Sequence, residues 1–382
     1  MSLSATSTSV TILCDVPSSL VEPSSATASG VGRFLTLRNV VMRPVLVLSA
    51  LAIFVLSLRL LQTGAGGLAP ILDALSVEGV AGSVGFGWLG AYIVLSGSPV
   101  AAIAIALYGG GELTQSETFS MLVGSRFGAA MVVLVVGIVV FFRRQERSTD
   151  GVYIGVTALV TTFTHFLPAL FVGLFLLDQG WLGDRELVAT SQIDSFLDAT
   201  YGPIVDFFAD RLPDLALFVV GGPLLIVAFQ LFDRVLPVLE GGALQHGRAS
   251  RMLHHPLSMF ALGLCITAVT LSVSLSLTLL VPLAIKGYVR RDRVIPYVLG
   301  ANISTWLDTL VAALLVARAG AAEVVLTALV AGSLAALVLL VTYPWYARLV
   351  RGLTELAMRG PGSLLAFVVL VIGVPALLLF AI

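Results

Sequence analysis

Long apolar runs, separated by short charged or Gly/Pro-rich stretches, recur along the chain from residue 43 onward. A bilayer core roughly 30 Å thick takes about 20 mostly apolar residues per crossing helix. On that measure the pattern predicts spanning helices near 43–62, 118–142, 152–177, 215–236, 294–317, 322–347 and 362–382. Two further apolar stretches, 86–108 and 257–284, are interrupted midway by small polar residues. The first contains Ser96-Gly97-Ser98-Pro99, the second Ser272-Val273-Ser274-Leu275-Ser276.

Basic residues indicate how these two stretches run, because loops left on the cytoplasmic side carry the Lys/Arg excess. Arg33, Arg38 and Arg43 put the start of the chain inside. Arg143, Arg144 and Arg147 stay on that side only if 86–108 dips in and returns. The same test on 257–284 keeps Arg248, Arg251, Lys286, Arg290, Arg291 and Arg293 together, with Arg348, Arg351 and Arg359 following there. Both stretches are therefore expected to be re-entrant broken-helix hairpins. Between the halves, the segment from about 178 to 214 holds Asp178, Asp184, Glu186, Asp194, Asp198, Asp206, Asp210 and Asp214 against Arg185 and Arg211. It reads as an acidic external loop.

Shifting the chain against itself by 176 residues superposes Ser96 on Ser272, Ser98 on Ser274, Gly87 on Gly263, Leu95 on Leu271, Gly111 on Gly287 and Gly124 on Gly300. Spans, breaks and glycine-rich loops agree at that one offset. One copy starts inside and the other outside by the charge argument, so the copies are inverted, the usual plan of secondary transporters. The expected fold is an all-α integral membrane protein of two inverted repeats, each with a re-entrant hairpin. Its segments are a disordered cytoplasmic tail over 1–42, rich in Ser, Thr and Pro, a first repeat over 43–178 and an acidic external linker over 179–213. A second repeat over 214–347 and a C-terminal segment over 348–382 with an extra helix complete it.

Composition agrees. The chain is 58% hydrophobic and 11% charged, where soluble domains carry about 25% charged residues. A net charge of −1 gives no reason to expect a nucleic-acid partner. The tail has no basic cluster leading into an apolar run, which argues against a signal peptide. Cys14 and Cys265 lie at different expected depths and are not expected to pair. The expected location is the cell membrane, as a multi-pass protein.

Backbone that leaves helical geometry at membrane depth is tolerated where it is buried in protein or lines a wet cavity. Each break also frees N–H groups at the positive end of a half-helix, an anion site. Ser96, Ser98, Ser272, Ser274 and Ser276 add hydroxyls there. The stretch 300–309 sets Asn302, Ser304, Thr305, Asp308 and Thr309 in an apolar span. If the helix continues, Asn302, Thr305 and Thr309 share a face, and hard oxygen ligands of this kind suit Na⁺; hydrogen-bonded glue between helices is the competing reading. Arg126 is the counterpart of Asn302. An arginine at membrane depth needs a partner, either Asp308 or a bound anion; snorkelling from an interfacial position is the competing reading. His165 could relay a proton, but a hydrogen-bonded packing role is preferred. No nucleophile–base spacing supports an intramembrane enzyme.

The pattern Gly-x-x-x-Thr-Ala-x-x-x-Ser-x-Ser at 263–274, followed by Gly300-Ala301-Asn302-Ile303-Ser304-Thr305, resembles the repeated signature of the type II sodium/phosphate cotransporter family. That signature pairs a Gln-Ser-Ser-Ser hairpin with a Gly-Ala-Asn-Ile-Gly-Thr-Thr helix. Gly87 to Ser98 and Gly124 to Ala130 fit the same template, and the resemblance covers roughly 43–347. It implies Na⁺-dependent symport of inorganic phosphate by alternating access, without an organic cofactor. Taken with the reading of the residues above, substrate binding would fall to Ser96, Ser98, Ser272, Ser274 and Arg126, and cation binding to Asn302, Thr305, Asp308, Thr309 and Ser276. Expected partners are phosphate or another small oxyanion, Na⁺, the lipid bilayer and a second copy in a homodimer. The chain departs from the signature at both glutamines (Leu95, Leu271), at both middle serines (Gly97, Val273), at Pro99 and at Arg126. These departures keep open a transporter of another oxyanion with Arg126 replacing a coupling cation, and a non-transporting scaffold or regulator.

Overall fold

The computed structural model describes residues 25–143, 149–182, 191–235, 255–273, 276–277, 280, 289–316 and 318–380. Ser274, Lys286, Arg248, Arg251, Arg144, Arg147, Cys14 and most of the return limb of 257–284 lie outside them. Of the described residues, those up to Val45 belong to one compact unit and those from Leu46 onward to a second.

The described residues are helical, with no strand among them. In chain order the helices are α1 (Ser25–Thr63), α2 (Ala69–Ala74), α3 (Gly79–Val94), α4 (Gly97–Gly110), α5 (Gln115–Ala129), α6 (Met131–Arg143), α7 (Asp150–Asp178), α8 (Ser191–Ala209) and α9 (Asp214–Val235). They continue as α10 (Pro256–Thr270), α11 (Arg291–Ser304), α12 (Trp306–Val316), α13 (Ala321–Val341), α14 (Tyr343–Ala357) and α15 (Pro361–Phe380). Among the described residues, seven stretches are long and apolar enough to cross a membrane: Pro44–Thr63, Gln115–Phe142, Asp150–Asp178, Asp214–Arg234, Arg291–Val316, Ala321–Val341 and Pro361–Phe380. The chain is an all-α, multi-pass membrane protein by this architecture, and all seven fall where the apolar runs put them.

Four boundaries differ from the sequence reading, the first being that α1 begins at Ser25, inside the segment 1–42 expected to be a disordered tail. The run 322–347 stops at Val341, and a separate helix begins at Tyr343; Pro344 stands at its first turn, where a missing N–H costs nothing. The first interrupted stretch starts at Gly79 rather than 86, because the Gly79 N–H is held by Glu117 at 2.9 Å. That carboxylate also closes a capping box with Thr114 at the start of α5. The acidic connection contains α8, whose Leu197 and Val205 are buried while Asp198 and Asp206 are exposed, and Arg59 on α1 pairs with Asp198 at 3.1 Å.

The short helices α3 and α4 have 16 and 14 residues, about 24 and 21 Å at 1.5 Å per residue. Neither reaches across the hydrocarbon core alone. They are divided at Leu95, which is left-handed at φ 54°, and α10 ends in the same way at Leu271, φ 48°. A leucine in this region is strained by about 1–2 kcal/mol, so each break is imposed by surrounding packing.

Glycines supply that packing. A methyl group at Gly87 would overlap the Met121 carbonyl, and one at Gly124 the Val84 carbonyl, so α3 and α5 meet backbone to backbone. The same contact recurs 176 residues later, with Gly263 against the Tyr297 carbonyl and Gly300 against that of Phe260. Helix starts follow the offset too, at Gln115 in α5 and Arg291 in α11. The main core lies around these helices. Trp88, Phe127 and Phe163 stack there with centroids 5.0–5.3 Å apart.

Candidate functional site

Two helix interruptions create the site. The span from Gln115 to Phe142 breaks at Ala130, leaving Arg126 in the last turn of α5; the span from Arg291 to Val316 breaks at Thr305, leaving Asp308 in the first turn of α12. A cation at a helix C-terminus and an anion at an N-terminus are each favoured by the local backbone dipole. The two interruptions thus prepare places for opposite charges at membrane depth.

Arg126 is 3% exposed and Asp308 7%. One guanidinium nitrogen, Nη2, lies 3.9 Å from Asp308 Oδ1, donates to Thr309 Oγ1 at 2.7 Å and reaches the Thr305 carbonyl at 3.4 Å. The guanidinium also sits 4.6 Å from the centroid of the Trp306 ring. Asp308 Oδ1 accepts from the Thr309 N–H at 2.6 Å and from its hydroxyl at 3.0 Å, and the Ser98 side chain reaches the same carboxylate. Of the two partners that the sequence offers Arg126, Asp308 is therefore in place.

The N-terminus of α4 completes this cluster. Ser96 is its extended N-cap and makes no side-chain capping bond. Gly97 packs on α5: a Cβ there would stand 2.8 Å from the Ser125 carbonyl and 3.4 Å from Arg126 Nη1. Any larger residue at 97 would collide with the Ser125 carbonyl, whereas the guanidinium stands at ordinary contact distance. Four atoms around the cluster are buried without a hydrogen-bond partner: Arg126 Nε, Asp308 Oδ2, Thr305 Oγ1 and Trp306 Nε1. On its other side Asp308 joins Thr270, Leu271 and Asp233 in lining a crevice of about 50 Å³. The breaks at Leu95 and Leu271 thus approach one carboxylate.

The remaining candidates fall into other groups. Asn302 turns away from Arg126, donating to Thr162 Oγ1 at 3.4 Å and to His165 Nδ1 at 3.3 Å. His165 is fully buried, and its Nε2 lies 2.8 Å from the Gly332 carbonyl. A carbonyl only accepts, so Nε2 carries the proton and Nδ1 receives the Asn302 bond. This is the packing histidine. Ser276 sits between Thr267 Oγ1 at 2.7 Å and the Tyr297 hydroxyl at 2.8 Å. Asn302, Thr305 and Thr309 do not share one helix face, because the helix breaks between them. Ser272 is half-buried, its carbonyl accepting from Thr270 Oγ1 at 3.3 Å; Ser274 is outside the described residues. Cys265 is a free, exposed thiol.

Trp306 was not among the residues the sequence singled out, and its stacking on Arg126 has no one-dimensional signal beyond proximity to Asp308. No family, characterised protein or solved structure matches this chain. Function is therefore argued from the cluster itself.

Proposed function

We propose that the chain is a secondary transporter carrying a small oxyanion, inorganic phosphate foremost, across the cell membrane. It would work by alternating access between two inverted repeats whose re-entrant hairpins meet at the Arg126 cluster. One observation carries this reading: a buried arginine and the uncapped start of a broken helix face one another across Gly97, with a single carboxylate as counter-charge. Two positive elements against one negative group favour a further anion. The unpartnered polar atoms supply hydrogen bonds for it, since buried polar groups ordinarily find a protein, water or ligand partner.

The repeated contacts at an offset of 176 support two equivalent halves. The left-handed leucines support broken hairpins at corresponding places, the arrangement transporters use for midplane binding. Of the coupling schemes left open by the sequence, a fixed positive charge at Arg126 fits the geometry best. The residues proposed for Na⁺ divide among three clusters, around Arg126, His165 and Tyr297, and do not converge as one oxygen cage. Asp308 and Thr309 remain the pair through which a cation would act, if one does.

Uptake of radiolabelled phosphate into proteoliposomes tests the reading, with Na⁺ and pH gradients imposed separately and with sulfate as competitor. Wild-type protein is expected to take up the label, Arg126→Ala to lose uptake, and Ser98→Ala to retain a weakened fraction. Uptake that survives in Arg126→Ala would place the anion elsewhere. No uptake of either oxyanion under any gradient would leave the scaffold reading.

A further inference from the structure

Far from the Arg126 cluster in sequence, α14 presents three faces. Tyr346, Ala347, Val350, Thr354 and Ala357 are buried against the bundle, while Trp345, Leu349, Leu353 and Leu356 are exposed, the first at 71%. Arg348, Arg351 and Glu355 occupy the remaining arc, with Arg359 in the turn that follows. A helix that is part protein-facing, part apolar and part cationic lies in the plane of a membrane surface, apolar side among the acyl chains.

Behind it, α7, α14 and α15 enclose a groove of about 470 Å³, lined by Phe163, Leu353, Leu356, Ala366, Phe367 and Leu370 among others. That volume is within the roughly 300–1,000 Å³ of ligand sites. The turn bearing Arg359 joins the two helices that wall it. Nearby charge is unbalanced toward positive. Arg351 pairs with Asp292 at 3.3 Å and Arg291 with Asp150, whereas Arg348 stacks 4.1 Å over Trp345 and bonds the Pro344 carbonyl. An apolar slot with Arg359 in the turn at its end is complementary to an amphiphile with a negative head.

We infer that the groove between α7, α14 and α15 is a binding site for an anionic phospholipid, one acyl chain in the slot and the phosphate on Arg359. The site also touches the core. Phe163 on its wall stacks with Trp88 and Phe127, and Thr164 shares a 2.9 Å hydrogen bond with Tyr346 of α14. A chain in the slot would buttress the α7 face next to His165.

The test is native mass spectrometry of the purified full-length protein, titrated with phosphatidylglycerol and phosphatidylcholine of identical acyl chains. Three variants are compared with wild type: Arg348→Gln, Arg359→Gln and Ala366→Trp, the last at an exposed position where added bulk fills the groove without entering the core. Wild type should retain phosphatidylglycerol preferentially. Arg359→Gln should weaken it by about fivefold, Arg348→Gln should leave it unchanged, and Ala366→Trp should abolish the tight site for both lipids. Inorganic phosphate should not compete. Equal retention of the two lipids by wild type overturns the proposal. So does unaltered phosphatidylglycerol binding in Ala366→Trp, or conversion of a dimer to a monomer by that variant with lipid binding intact, which would assign the face to a second copy.

Discussion

At the scale of single residues, the Arg126–Asp308 pair is held by placement more than by contact. Their 3.9 Å separation is long for a hydrogen-bonded ion pair, and Thr309 mediates between them. Removing one member strands the other in a site almost without exposure, a change that typically costs about 3–5 kcal/mol. Arg126→Met alone should therefore destabilise strongly in denaturant unfolding from micelles. The double variant Arg126→Met/Asp308→Leu should recover most of the loss while remaining inactive in transport. Recovery of neither would mean that the pair is structurally indispensable. Leu95 offers a second test. Its side chain is 54% exposed, so Leu95→Gly gives up little packing while relieving left-handed strain of about 1–2 kcal/mol, against a backbone-entropy penalty of about 0.5–1 kcal/mol. Leu95→Gly should be neutral or slightly stabilising, and Leu95→Val clearly destabilising. Sequence alone marks Arg126 as needing a partner. It leaves Asp308 and a bound anion as equal candidates, because the interruptions at Ala130 and Thr305 that orient both charges have no glycine or proline at the break.

At the scale of elements, apolar run length identified the seven spans, since burial in lipid asks only for enough consecutive apolar residues. It failed where two helices adjoin without a polar gap. Val341 runs into Tyr343-Pro344-Trp345-Tyr346, and only the arginine spacing behind it distinguishes a surface helix from a continuing span. Amphipathic α8 was similarly concealed by its acids. The glycine contacts were visible as matched positions, but their purpose, bringing backbones into contact, requires the third dimension. Close approach of this kind is how membrane helices gain packing energy without a hydrophobic drive between them. Gly263→Ala should accordingly cost about 1–3 kcal/mol by overpacking against the Tyr297 carbonyl. Gly222→Ala in α9, with nothing within 4 Å of the added methyl, is the matched control and should change little. Thermal unfolding of the two variants side by side separates crowding from any general intolerance of glycine replacement.

For the whole molecule, a ligand that binds only the folded state raises its stability, by about 2.7 kcal/mol at a hundredfold excess over Kd. On the proposed function, phosphate should raise the melting temperature of wild type and leave Arg126→Ala unchanged; equal shifts in both would point to a general salt effect. The repeated framework has one further consequence. Two identical halves exchanging shapes would give end states of equal energy, with the protein resting as often in one as in the other. Here the helices, breaks and glycines repeat, but the residues at the centre do not: Arg126 stands opposite Asn302 in the repeat, and they face different neighbours. Asp308 and Trp306 likewise stand opposite Val132 and Ala130 at the same offset, so the centre is unlike in the two halves. On the proposed alternating-access mechanism, that asymmetry would set which side the empty protein prefers to open toward, and exchanging Arg126 and Asn302 should shift that preference.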